Sequence, residues 1–230
     1  MGFKYEEAVP WGRSHDEYLR MFNLTAEDLR RRILGCADGP ASFNAGMSKR
    51  GLTVVSCDPL YGCDAGQIRR RIDATYEDVM AQTRRNLAKF LWEGIASVEE
   101  LGRVRRGAMA EFLEDYDRGR AQGRYVEASL PDLPFAASSF ELALCSHFLF
   151  LYSDSLSLEF HQQAVDELCR VAREVRIFPL LDYNAEPSPL IGPVKDHCER
   201  RGRSVFIESV PYEFQRGGNK MMRILGGRSI

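Results

Sequence analysis

The stretch Ile33-Leu34-Gly35-Cys36-Ala37-Asp38-Gly39-Pro40 decides how this chain folds. A short apolar run enters a glycine turn, and Pro40 stands near the first turn of a following helix, where its missing N–H costs nothing. Gly35 and Gly39 let the backbone pass close to a ligand, and the helix offers free N–H groups to an electronegative one. A tight strand-to-helix connection without a ligand uses the same residues. Asp58 tilts the reading: it lies nineteen residues after Gly39 and closes the next apolar run, 53–57. A carboxylate at the tip of a second strand is where doubly wound folds take ribose hydroxyls.

Working outward, the apolar runs 32–34, 53–57, 140–145 and 174–181 read as buried strands. Helical spacing marks 40–49 and 156–172, so strands and helices alternate as in βαβ units. Two short helices are expected before the first strand, at 14–21 and 25–31. Thr25 and Asp28 form a variant capping box in the second. Residues 204–210 and 220–225 read as an antiparallel pair, with Gly217 and Gly218 at the reversal. Between 62 and 124 no strand is expected, and a connection this long implies an inserted helical subdomain or lid. The expected fold is α/β, a doubly wound, mostly parallel seven-stranded sheet with an antiparallel C-terminal strand pair. One domain spans 1–230, with a helical cap over 1–31 and a helical insertion over 62–124.

Composition narrows the function classes. Lys and Arg total 31 against 33 Asp and Glu, a net charge of −2, which gives no global case for nucleic acid or an anionic membrane. Residues 61–124 carry 12 basic and 11 acidic side chains. The arginines at 69–71, 103, 105 and 106 therefore read as a salt-laced helix surface. The longest apolar run, 142–152, is broken by Ser146 and His147 and is too short for a bilayer. Residues 1–13 lack an apolar signal core, so a cytoplasmic location is expected. None of the six cysteines forms a CxxC pair, which favours buried free thiols over disulfides or a metal site.

A third element extends the pattern: Ser129-Leu130-Pro131-Asp132-Leu133-Pro134-Phe135, followed by Ser139-Phe140-Glu141-Leu142. With the glycine turn and Asp58, these segments resemble the class I S-adenosylmethionine-dependent methyltransferases, especially their small-molecule branch. The resemblance implies a Rossmann-like methyltransferase fold and S-adenosyl-L-methionine as cofactor. By position, Gly35, Ala37, Asp38 and Gly39 would border its methionyl part and Asp58 its ribose. Ser129 and Leu130 would meet the adenine, and Ser146 with His147 would face the methionyl group and substrate. The pattern departs from the family at three points. Ile33 replaces a frequent acidic residue, Ala37 the middle glycine, and Ser129 a frequent aspartate.

Beside the resemblance stand readings of single residues. His147 ends an apolar strand with a near-neutral reference pKa, suited to a general base or simply to lining the pocket. Tyr152 closes the aromatic run behind it and is the second catalytic candidate. Arg13 could pair with the cofactor's carboxylate, while Trp11 and Tyr18 offer aromatic faces to a sulfonium, or else pack a surface helix. Tyr183 and Asn184 read as a turn. The expected activity is methyl transfer to a small molecule in a closed pocket, without nucleic-acid or membrane partners. Attack on the aminocarboxypropyl chain, releasing methylthioadenosine and forming for example azetidine-2-carboxylate, needs the same adenosine pocket and stays open. So does binding without catalysis. A nicotinamide oxidoreductase is disfavoured because the turn lacks GxGxxG spacing.

Overall fold

The computed structural model describes residues 9–226, so residues 1–8 of the expected cap and the last four residues lie outside it. Seven strands form one sheet: β1 (Ile33–Cys36), β2 (Val54–Cys57), β3 (Tyr125–Val126), β4 (Phe140–Ser146), β5 (Ala172–Phe178), β6 (Ser204–Ser209) and β7 (Lys220–Leu225). Their order is β3-β2-β1-β4-β5-β7-β6. Every neighbouring pair is parallel except the two made by β7, which runs against both β5 and β6. The chain leaves β1 outward through β2 and β3, then returns to β4 on the other side. The crevice outside the carboxyl ends of β1 and β4 is thus the switch point where open sheets bind ligands. This is the Rossmann-like sheet expected from the sequence.

Alternation along the strands divides the core between two faces. Leu34, Cys36, Ala143 and Cys145 pack with Val165 and Leu168 of α5 (Leu158–Val171) and with Val194 of α6 (Ile191–Arg200). Ile33, Val54, Leu142 and Leu144 pack on the other face. Their partners there are Tyr18 of α1 (His15–Met21) and Phe43 and Met47 of α2 (Phe43–Lys49). Between β2 and β3 run α3 (Ala65–Arg85) and α4 (Val98–Ala121). Tyr61 and Tyr125 join Phe112 and Tyr116 of α4 in a third cluster. No helix among the described residues is long and apolar enough to cross a membrane.

Several expectations shift. The helix expected at 25–31 shrinks to one tight turn, Asp28–Arg30. Thr25 and Asp28 do bond reciprocally, but Asp28 is also drawn to Arg31 and Arg176, and the chain leaves in extended form. The helix expected at 40–49 begins only at Phe43 and has seven residues. The strand expected at 174–181 spans Ala172–Phe178 instead. Neither β3 nor α6 was legible. Two residues make no periodicity, and Pro193 obscures a helix that tolerates it in the first turn.

The arginine at position 105, expected on a solvated surface, is instead fully buried. Its guanidinium grips Glu17 of α1 with both terminal nitrogens, Nη1 at 2.5 Å and Nη2 at 2.8 Å. Tyr212, between β6 and β7, donates to the same carboxylate at 2.8 Å. Glu17 is also the reciprocal partner of Ser14 in the capping box that starts α1. Burial raises the Glu17 carboxyl, yet the charge and hydrogen bonds of Arg105 outweigh it and hold the group well below its usual range. Residues from the cap, the 62–124 stretch and the C-terminal segment therefore converge on one carboxylate.

Glu17→Gln should destabilise the fold by about 3–5 kcal/mol, because it leaves the buried Arg105 charge without its counter-ion. The double variant Glu17→Leu/Arg105→Met should lose less than Glu17→Gln alone. Urea unfolding of the three proteins checks both, and equal losses would show that the pair is not coupled.

Candidate functional site

A cavity of about 740 Å³ opens over the carboxyl ends of β1, β2 and β4. The glycine turn contributes Ala37, Asp38 and Gly39 to its wall, the tip of β2 contributes Asp58, and the loop before β4 contributes Ser129 and Leu130. Ser146 and His147 border it at the end of β4, with Arg13 and Tyr152 closing the far side. Ten of the eleven residues expected to hold the cofactor or to act in catalysis thus line one cavity. Gly35 is the exception and is corrected here. It does not line the cavity; a Cβ at this position would lie 1.9 Å from Oδ2 of Asp38, so its glycine makes room for that carboxylate.

The turn itself is fastened to β2. Ala37 and Gly39 both have left-handed backbones, with φ of 56° and 52°. An alanine in that region costs about 1–2 kcal/mol, which accounts for the glycine usual at this position in proteins this chain resembles. Ala37 N–H donates to the Cys57 carbonyl at 2.9 Å, and Gly39 N–H donates to Oδ2 of Asp58 at 2.9 Å. Oδ1 of Asp58 accepts from Leu60 N–H at 2.8 Å. Burial raises the Asp58 carboxyl, and these two backbone donors partly restore it. The expected helix-end site is absent in this geometry: α2 starts four residues beyond Gly39, and the Gly39 N–H already serves Asp58.

Asp38 heads a directed chain of hydrogen bonds. Its Oδ1 accepts from the Tyr18 phenol at 2.8 Å, and its Oδ2 accepts from the Ser56 hydroxyl at 2.7 Å. The Tyr18 proton is therefore committed, so its oxygen can only accept, and Ser146 is the hydroxyl that acts on it electrostatically. The Ser146 hydroxyl lies 3.0 Å from Nδ1 of His147. The tautomer that continues this order carries the imidazole proton on Nδ1 and leaves the Nε2 lone pair free. His147 has a left-handed backbone, φ 50°, and its N–H is held by the Phe178 carbonyl at 2.7 Å. Burial, reinforced by the charges of Arg13 and Arg105, lowers the imidazole well below 6.5, so it is neutral at neutral pH.

Arg13 is the other charged wall. Nη1 donates to the Trp11 carbonyl at 2.7 Å, while buried Nε has no partner. No carboxylate among the described residues forms an ion pair with it, since Glu17 is held by Arg105. Burial, followed by repulsion from Arg105, lowers the guanidinium to about 10. A half-buried cation without a counter-ion is costly, and a bound anion would relieve it.

A second cavity of about 150 Å³ adjoins the first, sharing Trp11, Arg13, His147 and Tyr152 with it. Its remaining wall is mainly apolar and aromatic, from Val79 and Leu101 to Phe178, Tyr183, Tyr212 and Phe214. The ring of Tyr183, expected only to mark a turn, meets Tyr152 edge-on at 4.6 Å. Sequence reasoning missed the contributions of α3. Arg71, Ala74 and Thr75 border the larger cavity at helical i, i+3, i+4 spacing, a face legible only once the partner surface is known. Cys36, Cys57 and Cys145 lie in register across β2, β1 and β4 as free thiols. No cluster of metal-ligating side chains occurs among the described residues.

The chain is 34% identical to the uncharacterized protein MJ0045 of Methanocaldococcus jannaschii over 221 residues, covering 95% of this chain and 96% of that one. No family model matches. Among solved structures it is similar to the magnesium protoporphyrin IX methyltransferase of Synechocystis PCC 6803 with bound S-adenosylmethionine. The identity is 9%, 86% of this chain and 70% of that one are covered, and the TM-score is 0.46. For a putative S-adenosyl-L-methionine-dependent methyltransferase from Methanococcus maripaludis the identity is 9%, the shares are 94% and 84%, and the TM-score is 0.47.

Asp38 supplies a pH signature. Burial pushes its carboxyl up to about 6 against the Ser56 and Tyr18 hydrogen bonds, from 3.8 in the unfolded chain. Between these values the folded state binds more protons, so stability falls as pH rises through about 6. Relative to Asp38→Asn, the wild type should gain about 1 kcal/mol of stability on going from pH 7 to pH 5, with the opposing loss from neutral His147 common to both proteins. Urea unfolding at both pH values checks it, and an identical profile for the two proteins would remove Asp38 as its source.

Proposed function

The chain belongs to one family with that archaeal protein, and from its own cavities we propose that it binds S-adenosyl-L-methionine and methylates a small molecule in a closed pocket. The observation that carries this reading is the larger cavity, which is bordered by the Asp58 carboxylate and by the half-buried Arg13 guanidinium, which has no ion-pair partner among the described residues. Asp58 stands where ribose hydroxyls are taken, and its two backbone bonds leave carboxylate lone pairs to accept from them. Leu130 and Ser129 offer the adenine a partly apolar wall beyond it. Arg13 supplies the counter-ion for the amino-acid carboxylate, in the bidentate manner guanidinium groups favour. The orphaned Nε of Arg13 supports the fit, since it is a donor aimed at nothing else in the chain.

When bound, this cofactor supplies an electrophilic methyl group on a sulfonium with a good leaving group. The chain's own residues then have three tasks. Trp11 and Tyr152 border both cavities and shield their junction from water. His147, held neutral with Nε2 unprotonated, can accept a proton or hydrogen bond there. The turn 35–39, tied to Asp58 and to Asp38, holds the backbone rigid, so that alignment rather than strong acid–base help supports the reaction.

Calorimetry with S-adenosylhomocysteine tests the reading. Wild type should bind, Asp58→Ala should bind at least tenfold more weakly, and Asp132→Ala should stay within twofold, because hydrogen bonds to a charged acceptor are each worth roughly 1.5–3 kcal/mol. No binding at millimolar ligand sinks the proposal. Mass spectrometry should then find S-adenosylhomocysteine only when an acceptor is added. Methylthioadenosine from S-adenosylmethionine alone would redirect the reading to attack on the aminocarboxypropyl chain.

A further inference from the structure

Resting on the reading above, we propose that the smaller cavity is the acceptor's own site. We infer that it takes one neutral aromatic ring whose O–H or N–H donates to Nε2 of His147. Four observations converge on this. The first is size. At about 150 Å³ the chamber matches the volume of apolar cavities that hold a single benzene ring.

The second is the wall. Phe178 and Tyr212 meet edge-on at 5.8 Å, and Tyr152 and Tyr183 at 4.6 Å. A further ring enters such a set with the edge-to-face geometry that aromatic pairs prefer.

The third is charge. The chamber is bordered by two guanidinium groups, Arg13 and Arg105. Arg105 has both terminal nitrogens on Glu17 and only its buried Nε unpaired, and Arg13 is committed to the cofactor. With each cation already balanced by a carboxylate, an acceptor charge of either sign would be buried without a counter-ion, which is costly. A neutral molecule avoids that cost.

The fourth is the direction of the hydrogen bonds. Tyr18 donates to Asp38 at 2.8 Å and Ser146 Oγ lies 3.0 Å from Nδ1 of His147, and the tautomer that continues this order leaves Nε2 as an acceptor. The matching group on the ring is therefore a donor. His147 borders both cavities, so the atom it holds lies at their junction. Tyr18 and Ser146 act here as positioning residues.

Ligand-detected NMR titration with phenol, anisole and benzoate tests this, on the protein alone and saturated with S-adenosylhomocysteine. Phenol should bind about tenfold more tightly than anisole, the difference one hydrogen bond makes, and benzoate should bind more weakly than both. Tyr18→Phe, which keeps the ring but breaks this order of hydrogen bonds, should shrink the phenol–anisole difference to twofold or less. Val79→Trp, which fills the chamber from α3, should abolish phenol binding while calorimetry still detects S-adenosylhomocysteine. Phenol binding unaffected by Val79→Trp, benzoate binding best, or no preference for phenol over anisole would each overturn the proposal. Loss of S-adenosylhomocysteine binding in wild type would instead overturn the cofactor reading, and phenol titration of the protein alone would still decide the chamber.

Discussion

The carboxylate of Glu17 is the constraint on which the site depends. Buried with Arg105 and Tyr212, it joins α1, α4 and the segment between β6 and β7, three parts of the chain far apart in sequence. A buried ion pair of this kind contributes little net stability against an apolar alternative, yet it is costly to break from one side. Its effect is one of placement. Because Glu17 is taken by Arg105, Arg13 on the same segment is left without a partner, and the junction of the two cavities keeps a net positive wall. Burial, reinforced by that wall, holds His147 neutral.

A second constraint acts from below the site. Gly35 leaves space for the Asp38 carboxylate against the end of β1, and Asp38 in turn orients Tyr18 and Ser56. The missing side chain in the glycine turn thus makes room for a carboxylate that binds Tyr18, while Ser146 and His147 meet at the end of the neighbouring β4. Asp58 performs the parallel task at the neighbouring strand, pinning Gly39 through its backbone N–H. The two aspartates of the motif thus divide the labour: Asp38 organises the interior, and Asp58 retains the open side of the cavity.

Much of this was legible in one dimension. Six of seven strands announced themselves in the sequence: β1, β2, β4 and β5 as short apolar runs because parallel strands are buried on both faces, and the antiparallel β6 and β7 through the glycine reversal between them. The glycine turn, Asp58 and the loop at 129–130 were recognisable because a switch-point cavity is built from strand ends, which adjoin turn residues in sequence. Arg13, His147 and Tyr152 were found for their chemistry rather than their position. Less visible were β3, too short for a period, and α6, masked by Pro193.

By itself, then, the sequence determined the mostly parallel sheet and most residues that border the larger cavity, because these follow from local hydrophobic period and from turn chemistry. Only the tertiary structure decided the rest. Arg105 reads as one more charge on a solvated helix until Glu17, 88 residues away, is brought against it. Gly35 reads as a ligand-facing glycine until Asp38 folds back beneath it. The second cavity has no motif at all, since its walls come from α3, α4, the end of β5 and the loop after β6. Burial, and with it the charge state of every group at the site, is a property of packing between distant segments, which no local pattern encodes.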